Sequence, residues 1–157
     1  MIRMDQMNNS KSLNPYSVPP EFRAYLYDSV ILAKETKSVK LNVTTFDRNT
    51  VLERCGLDVL MVESLDELQL HDLCEWPAGE FLLFLKGKVG GHEVMFKRLR
   101  DSFAHGHYES MDHQWIAIRH RYQTSKKQEE MTYAFGCMKL ATLRKLIAFL
   151  GSSDCPI

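Results

Sequence analysis

The stretch from His92 to Tyr108 constrains the fold of this chain more than any other. Gly90-Gly91 breaks the backbone ahead of it, and Gly106 stands where a helix C-terminus favours a residue able to turn left-handed. At about 100° per residue, Met95, Leu99 and Phe103 stack on successive turns with Phe96 beside them, so this stripe faces a core. The opposite side carries Arg100, Ala104, Lys97, Asp101 and His105 in angular order. Ala104, in the middle of that polar face, is small enough to let another helix approach closely. Meeting across a two-fold axis, two such faces would place both arginines and both histidines in one cleft.

The side-chain types set the chemistry. An arginine stays charged and offers a planar fork of donors that matches phosphate oxygens. An imidazole both takes and gives a proton near neutrality. His105 lies in the last turn, where the helix dipole favours its charged form, and Asp101, one turn earlier, can accept a hydrogen bond from its ring. Arg100, Asp101 and His105 are therefore the candidate catalytic residues. Lys97, Arg98 and Arg100 supply a local basic cleft, and His107 and Tyr108 are expected to support it. An arginine and a histidine five apart also occur on ordinary solvated faces and capped helix ends, which is the competing reading.

Arg100-Asp101-Ser102-Phe103-Ala104-His105-Gly106 resembles the Arg-polar-x-x-x-His signature of HEPN domains, small helical proteins many of which are ribonucleases. The whole stretch Leu99–Tyr108 is similar to a plasmid-associated bacterial branch of predicted HEPN toxins. The resemblance implies a homodimer with a composite site at its interface. It implies metal-independent RNA cleavage leaving a 2′,3′-cyclic phosphate and a 5′-hydroxyl, a toxin or anti-phage role, and a cognate antitoxin partner. No cofactor and no metal are expected. In HEPN toxins modified by a nucleotidyltransferase partner, a tyrosine lies two residues after the histidine. Here that position is His107, which argues against such modification. A catalytically inactive dimer, acting as a protein-interaction or nucleotide-binding module, is the alternative.

At 157 residues the chain suits one domain with one core. Its 20 basic and 20 acidic residues cancel, which excludes the general basic field of a nucleic-acid coating protein but not a local cleft. Cys55, Cys74, Cys137 and Cys155 are scattered without a zinc-site spacing and suit free thiols in a reducing cytoplasm. The longest strongly apolar run, Phe81–Leu85, is far short of the ~20 residues that span a bilayer, so a soluble, cytoplasmic protein is expected.

Along the chain, Met1–Val18 reads as a flexible polar arm, residues 19–151 as the domain and 152–157 as a tail. Pro19-Pro20 opens a helix to about Lys37, a second runs from Asp47 to Cys55, and Ser64-Leu65-Asp66-Glu67 caps a third through about Cys74. Ala78–Lys88 reads as a central helix joined to the motif helix by a turn at Gly87–Gly91, which lacks the lysine-hydroxyl ending of a phosphate loop. Residues of about 115–137 read as a β-hairpin with a polar tip, against a competing helix around Lys126–Met131. Arg119 and Arg121 then share a strand face with Trp115, a basic–aromatic face able to track RNA or simply an exposed one. His105-Gly106-His107 has the look of a metal pair but lacks a third ligand at regular spacing, and His113 and His120 read as surface residues. A last helix spans Leu140–Leu150. The expected fold is mainly α, a HEPN-like antiparallel helical bundle with a β-hairpin inserted before the last helix.

Overall fold

A computed structural model describes residues 13–32, 47–74, 76–88, 91–112, 114–123, 125 and 129–151. In chain order, helix α1 (Pro20–Leu26) runs into the wider π-helical turns Tyr27–Leu32, followed by helix α2 (Arg48–Cys55) and strand β1 (Asp58–Val62). Helix α3 (Leu65–Leu73), strand β2 (Phe81–Leu85) and helix α4 (Gly91–Ala104) come next. Strands β3 (Tyr108–Ser110), β4 (Trp115–Tyr122) and β5 (Met131–Lys139) lead into the closing helix α5 (Leu140–Leu150).

Local chemistry explains several of the helix ends. The Asp47 carboxylate accepts from the N–H groups of Asn49 and Thr50, and α2 stops at left-handed Gly56. Ser64 accepts from the Glu67 N–H and starts α3. Both helices fall within a residue of their expected spans, and α4, the β4–β5 hairpin and α5 also form where the sequence places them.

The strands form one five-stranded sheet in the order β1-β2-β5-β4-β3. β1 and β2 are parallel and joined across α3; every other pairing is antiparallel. This mixed sheet corrects the expected fold class: the protein is α/β, not an all-α bundle with an added hairpin. The decisive element is β2, where the sequence pattern predicts a helix over Ala78–Lys88. Leu82 and Phe84 enter the larger core with Met95, Leu99, Phe103, Ile116 and Ile118. Phe81 and Leu83 enter a second core on the opposite face with Leu68, Trp76 and Phe135. A strand covered on both faces needs apolar residues at every position, so its alternation disappears and a short run looks the same as a buried helix segment.

Residues 14–18, read as part of the polar arm, pack against β3. The Asn14 N–H donates to the Glu109 carboxylate at 3.2 Å, the Ser110 N–H donates to Ser17 Oγ at 2.8 Å, and Val18 is buried. Residues 1–12, 33–37 of the first expected helix, 126–128 of the alternative helix, His113 and the tail 152–157 lie outside the described residues. Cys55 and Cys137 are buried free thiols and Cys74 is an exposed one. Among the described residues no helix is long and apolar enough to cross a membrane.

Gly136 sits at the centre of the sheet, between Leu82 of β2 and Ile118 of β4. An added Cβ would meet the Phe81 carbonyl oxygen and lie 2.9 Å from Leu82 Cα, both backbone atoms that cannot move aside cheaply. Gly136→Ala is expected to destabilise the protein by about 1–3 kcal/mol, measured as a lower midpoint in urea unfolding. An unchanged midpoint contradicts the close strand packing.

Candidate functional site

The end of α4 is built by its glycine. Gly106 adopts φ 70°, and the His107 N–H donates back to the Ser102 carbonyl at 2.8 Å, closing the helix and turning the chain into β3. β3 runs antiparallel to β4, and the Arg119 N–H donates to the His107 carbonyl at 3.1 Å. That pairing sets His107 beside His120, and the last turn of α4 brings His105 against both.

Three imidazoles result. Ring centroids are 5.2 Å apart for His107 and His120, 5.8 Å for His105 and His107, and 6.1 Å for His105 and His120, whose planes differ by only 15°. The Nδ1 atoms of His107 and His120 are 3.0 Å apart, within hydrogen-bond reach. His105 is exposed, His107 half-buried and His120 buried. Beyond His120 lies Tyr122, its ring 5.5 Å away, which stacks on Tyr133 at 4.1 Å. Among the described residues no three histidine, cysteine, aspartate or glutamate side chains converge as a metal-ligand set.

Burial, followed by the neighbouring His107, pushes the His120 imidazole down to about 4 against the opposing pull of Asp101. Burial also lowers His107, helped by His105 and opposed by Glu130. At neutral pH both rings are therefore neutral. A hydrogen bond between two neutral Nδ1 atoms makes one ring the donor and the other the acceptor. The donor ring keeps a lone pair on Nε2, and the acceptor ring carries its proton there.

His120 also gives the fold an acid limit. Its folded value is depressed below that of the unfolded chain, so the unfolded state binds more protons between about pH 6.5 and 4. The stability linked to the neutral ring is complete above that window and lost as pH falls through it, amounting to roughly 3 kcal/mol. Urea unfolding at pH 7 and pH 4.5 should show this loss in the parent and a smaller one in His120→Gln. An equal acid loss in both would contradict the assignment.

The sequence-predicted residues separate into several groups. Arg100 and Asp101 stay together at the helix end, Arg100 Nη1 lying 2.5 Å from Asp101 Oδ1 with both side chains partly exposed. The Asp101 carboxylate thus holds Arg100, and its charge acts on His120, rather than serving only to orient His105. Lys97 is exposed on the outer side of α4. Arg98, expected in the basic cleft, is buried, with its guanidinium 5.2 Å from the Tyr133 ring centroid. Tyr108 is buried edge-on against Phe103 and stands apart from the imidazoles.

Arg119 and Arg121 occupy the other face of β4, and the expected RNA-tracking face is corrected there. Arg119 is buried in a bidentate ion pair with Asp72, at 2.7 and 3.0 Å, beneath α3. Arg121 is half-buried and donates to the Glu130 carbonyl at 3.3 Å, beside a cavity of about 460 Å³ lined by Gln69, Leu70, Leu73 and Met131. His120, expected at the surface, is the residue the sequence reading missed. Strand alternation could have found it, since His120 shares the face of Ile116 and Ile118.

Comparison with protein-family models, curated proteins and solved structures gives no match to this chain.

Proposed function

We propose that the protein is a metal-independent endoribonuclease acting at the histidine cluster. The observation that supports this reading is the 3.0 Å contact between His107 and His120, with His105 in the same cluster and Arg100 on the adjoining helix end. His107 is the more exposed ring of the pair and acts as general base through Nε2, taking the proton of the ribose 2′-hydroxyl. The 2′-oxygen then forms a bond to phosphorus, and the bond from phosphorus to the 5′-oxygen breaks. His105, facing solvent, returns a proton to that leaving oxygen. The products are a 2′,3′-cyclic phosphate and a 5′-hydroxyl end. Arg100 neutralises the charge that builds on the phosphate, Asp101 fixes the guanidinium, and Lys97 adds positive charge one turn earlier. His120 is a positioning residue that holds the tautomer of His107.

All three imidazoles belong to one chain, so this reading needs no groove shared between subunits. Exposed Ala104 leaves the outer face of α4 open to a second copy. The reading rests on the cluster and not on the HEPN resemblance, whose implied bundle is replaced by a mixed sheet. Digestion of an unstructured RNA, with chemical identification of both new ends and with EDTA present, tests the proposal directly. The expected ends are those named above, at a rate that chelation leaves unchanged. Intact RNA after incubation with pure protein would sink the proposal, and activity restored only by added metal would overturn the metal-independent step.

A further inference from the structure

Beside the histidine cluster lies a stacked tyrosine pair that the cleavage chemistry does not use. Arg98 lies 5.2 Å from the Tyr133 ring centroid, Tyr133 stacks on Tyr122 at 4.1 Å with planes 21° apart, and Tyr122 lies 5.5 Å from the His120 ring. Arg98 and Tyr133 are buried, whereas Tyr122 is 39 % exposed and is among the few large apolar side chains left in solvent. An aromatic ring held flat by a buried partner, with part of its surface open, has already lost the freedom that stacking a ligand would cost. Lone exposed tyrosines are ordinary. This one is fixed by a stack and lies beside titratable rings.

We infer that Tyr122 is a nucleobase platform, and that the ligand of this site is single-stranded RNA with an unpaired base stacked on Tyr122 beside the phosphate at the histidines. The identity of the ligand rests on the ribonuclease reading; the platform itself rests on the ring geometry. A base within a duplex is already stacked on both sides and cannot supply a face to a protein ring, whereas an unpaired base can. Stacking is tolerant of base identity because every base has a π-face, so the site should select for single strands rather than for sequence. Arg98 contributes indirectly. Its guanidinium lies against Tyr133, the buried ring of the pair, and is engaged with the Leu85 carbonyl at 3.5 Å, so it stiffens the platform rather than meeting the phosphate.

The test measures binding separately from cleavage. A short fluorescent 2′-O-methyl oligoribonucleotide lacks the nucleophilic hydroxyl and so reports binding alone by anisotropy. The parent protein should bind it as a single strand, and an unlabelled duplex of the same sequence should compete poorly. Tyr122→Ala should weaken binding by about 5- to 150-fold, the range that stacking of one base supplies. Tyr122→Phe, which keeps the ring and loses only the hydroxyl, should restore it. The inference is overturned if Tyr122→Ala binds like the parent, if the duplex competes equally, or if the parent binds no strand at all. Binding that depends on Tyr122, without cleavage of the corresponding 2′-hydroxyl strand, supports the platform and removes the ribonuclease reading. Cleavage by the parent with binding indifferent to Tyr122 does the reverse.

Discussion

Replacing Asp72 by alanine is expected to lower the unfolding free energy by about 3–5 kcal/mol, among the largest losses any single side chain here can cause. Asp72 and Arg119 are 5 % and 6 % exposed. The carboxylate accepts from Arg119 Nη2 at 2.7 Å and Nε at 3.0 Å, and from the Thr132 hydroxyl at 2.7 Å. Removing it takes from a buried guanidinium, 5.6 Å from the Trp76 ring centroid, the carboxylate that holds it through two hydrogen bonds. The penalty is the cost of breaking a buried ion pair from one side and not the worth of the pair itself. A domain of this kind is stable by only about 5–15 kcal/mol, so Asp72→Ala should show a large fall in urea midpoint or fail to accumulate. The double variant Asp72→Leu/Arg119→Met removes both charges and should recover most of the loss. If the double variant is as unstable as Asp72→Ala alone, the charge argument is wrong and the site matters for packing. Asp72 lies on the opposite face of the sheet from the imidazoles, so the stable double variant should keep any RNA cleavage.

Much of the local structure was legible in the sequence because it depends on nearby groups. Asp47 and Ser64 cap helices through the N–H groups of residues two or three positions on, and Gly106 ends α4 through its own backbone freedom. The hairpin of β4 and β5 was legible from β-forming runs on either side of a polar tract. The sheet as a whole was not. β1 pairs with β2 across a helix, and β2 is buried on both faces, so neither pairing leaves a periodic trace. Missing β2 turned the fold into a bundle. The candidate site was legible in part for the same reason. Arg100, Asp101 and His105 share one helix end, and helical spacing brings them together in any fold. His107 and His120 meet only because β3 returns along β4, a contact between residues 13 positions apart that turn geometry decides. Arg119 shows the converse error. Alternation placed it on the correct side of β4, but the presence of α3 over that side depends on the missed β1–α3–β2 unit, and so an arginine assigned to solvent is buried in an ion pair.

Loss of His107 should abolish RNA cleavage while leaving the fold in place. As general base its removal costs about 10²–10⁴-fold in rate, and Arg100→Ala should cost about 10²–10³-fold through the phosphate charge it neutralises. Both side chains are partly exposed and each gives up a polar contact, so neither variant should lower the unfolding free energy by more than about 1–1.5 kcal/mol. Rates of His107→Gln and Arg100→Ala, read with the unfolding curve of each, separate chemistry from stability. The pH profile carries the more particular expectation. Burial and the neighbouring His105 hold His107 below the ordinary histidine value. The base therefore stays unprotonated, and kcat/KM for the parent should persist to pH values below about 6.5 before falling. His120→Gln keeps a polar group of similar reach but breaks the pair of rings. It should move that acid limb as well as lower the rate, whereas a purely structural role for His120 would lower stability and leave the limb where it is. Because His107 and His120 act as one hydrogen-bonded unit, the double variant should be little worse than His107→Gln alone. Fully additive losses would mean that the two imidazoles work independently, and the shared-proton account of the base would fail.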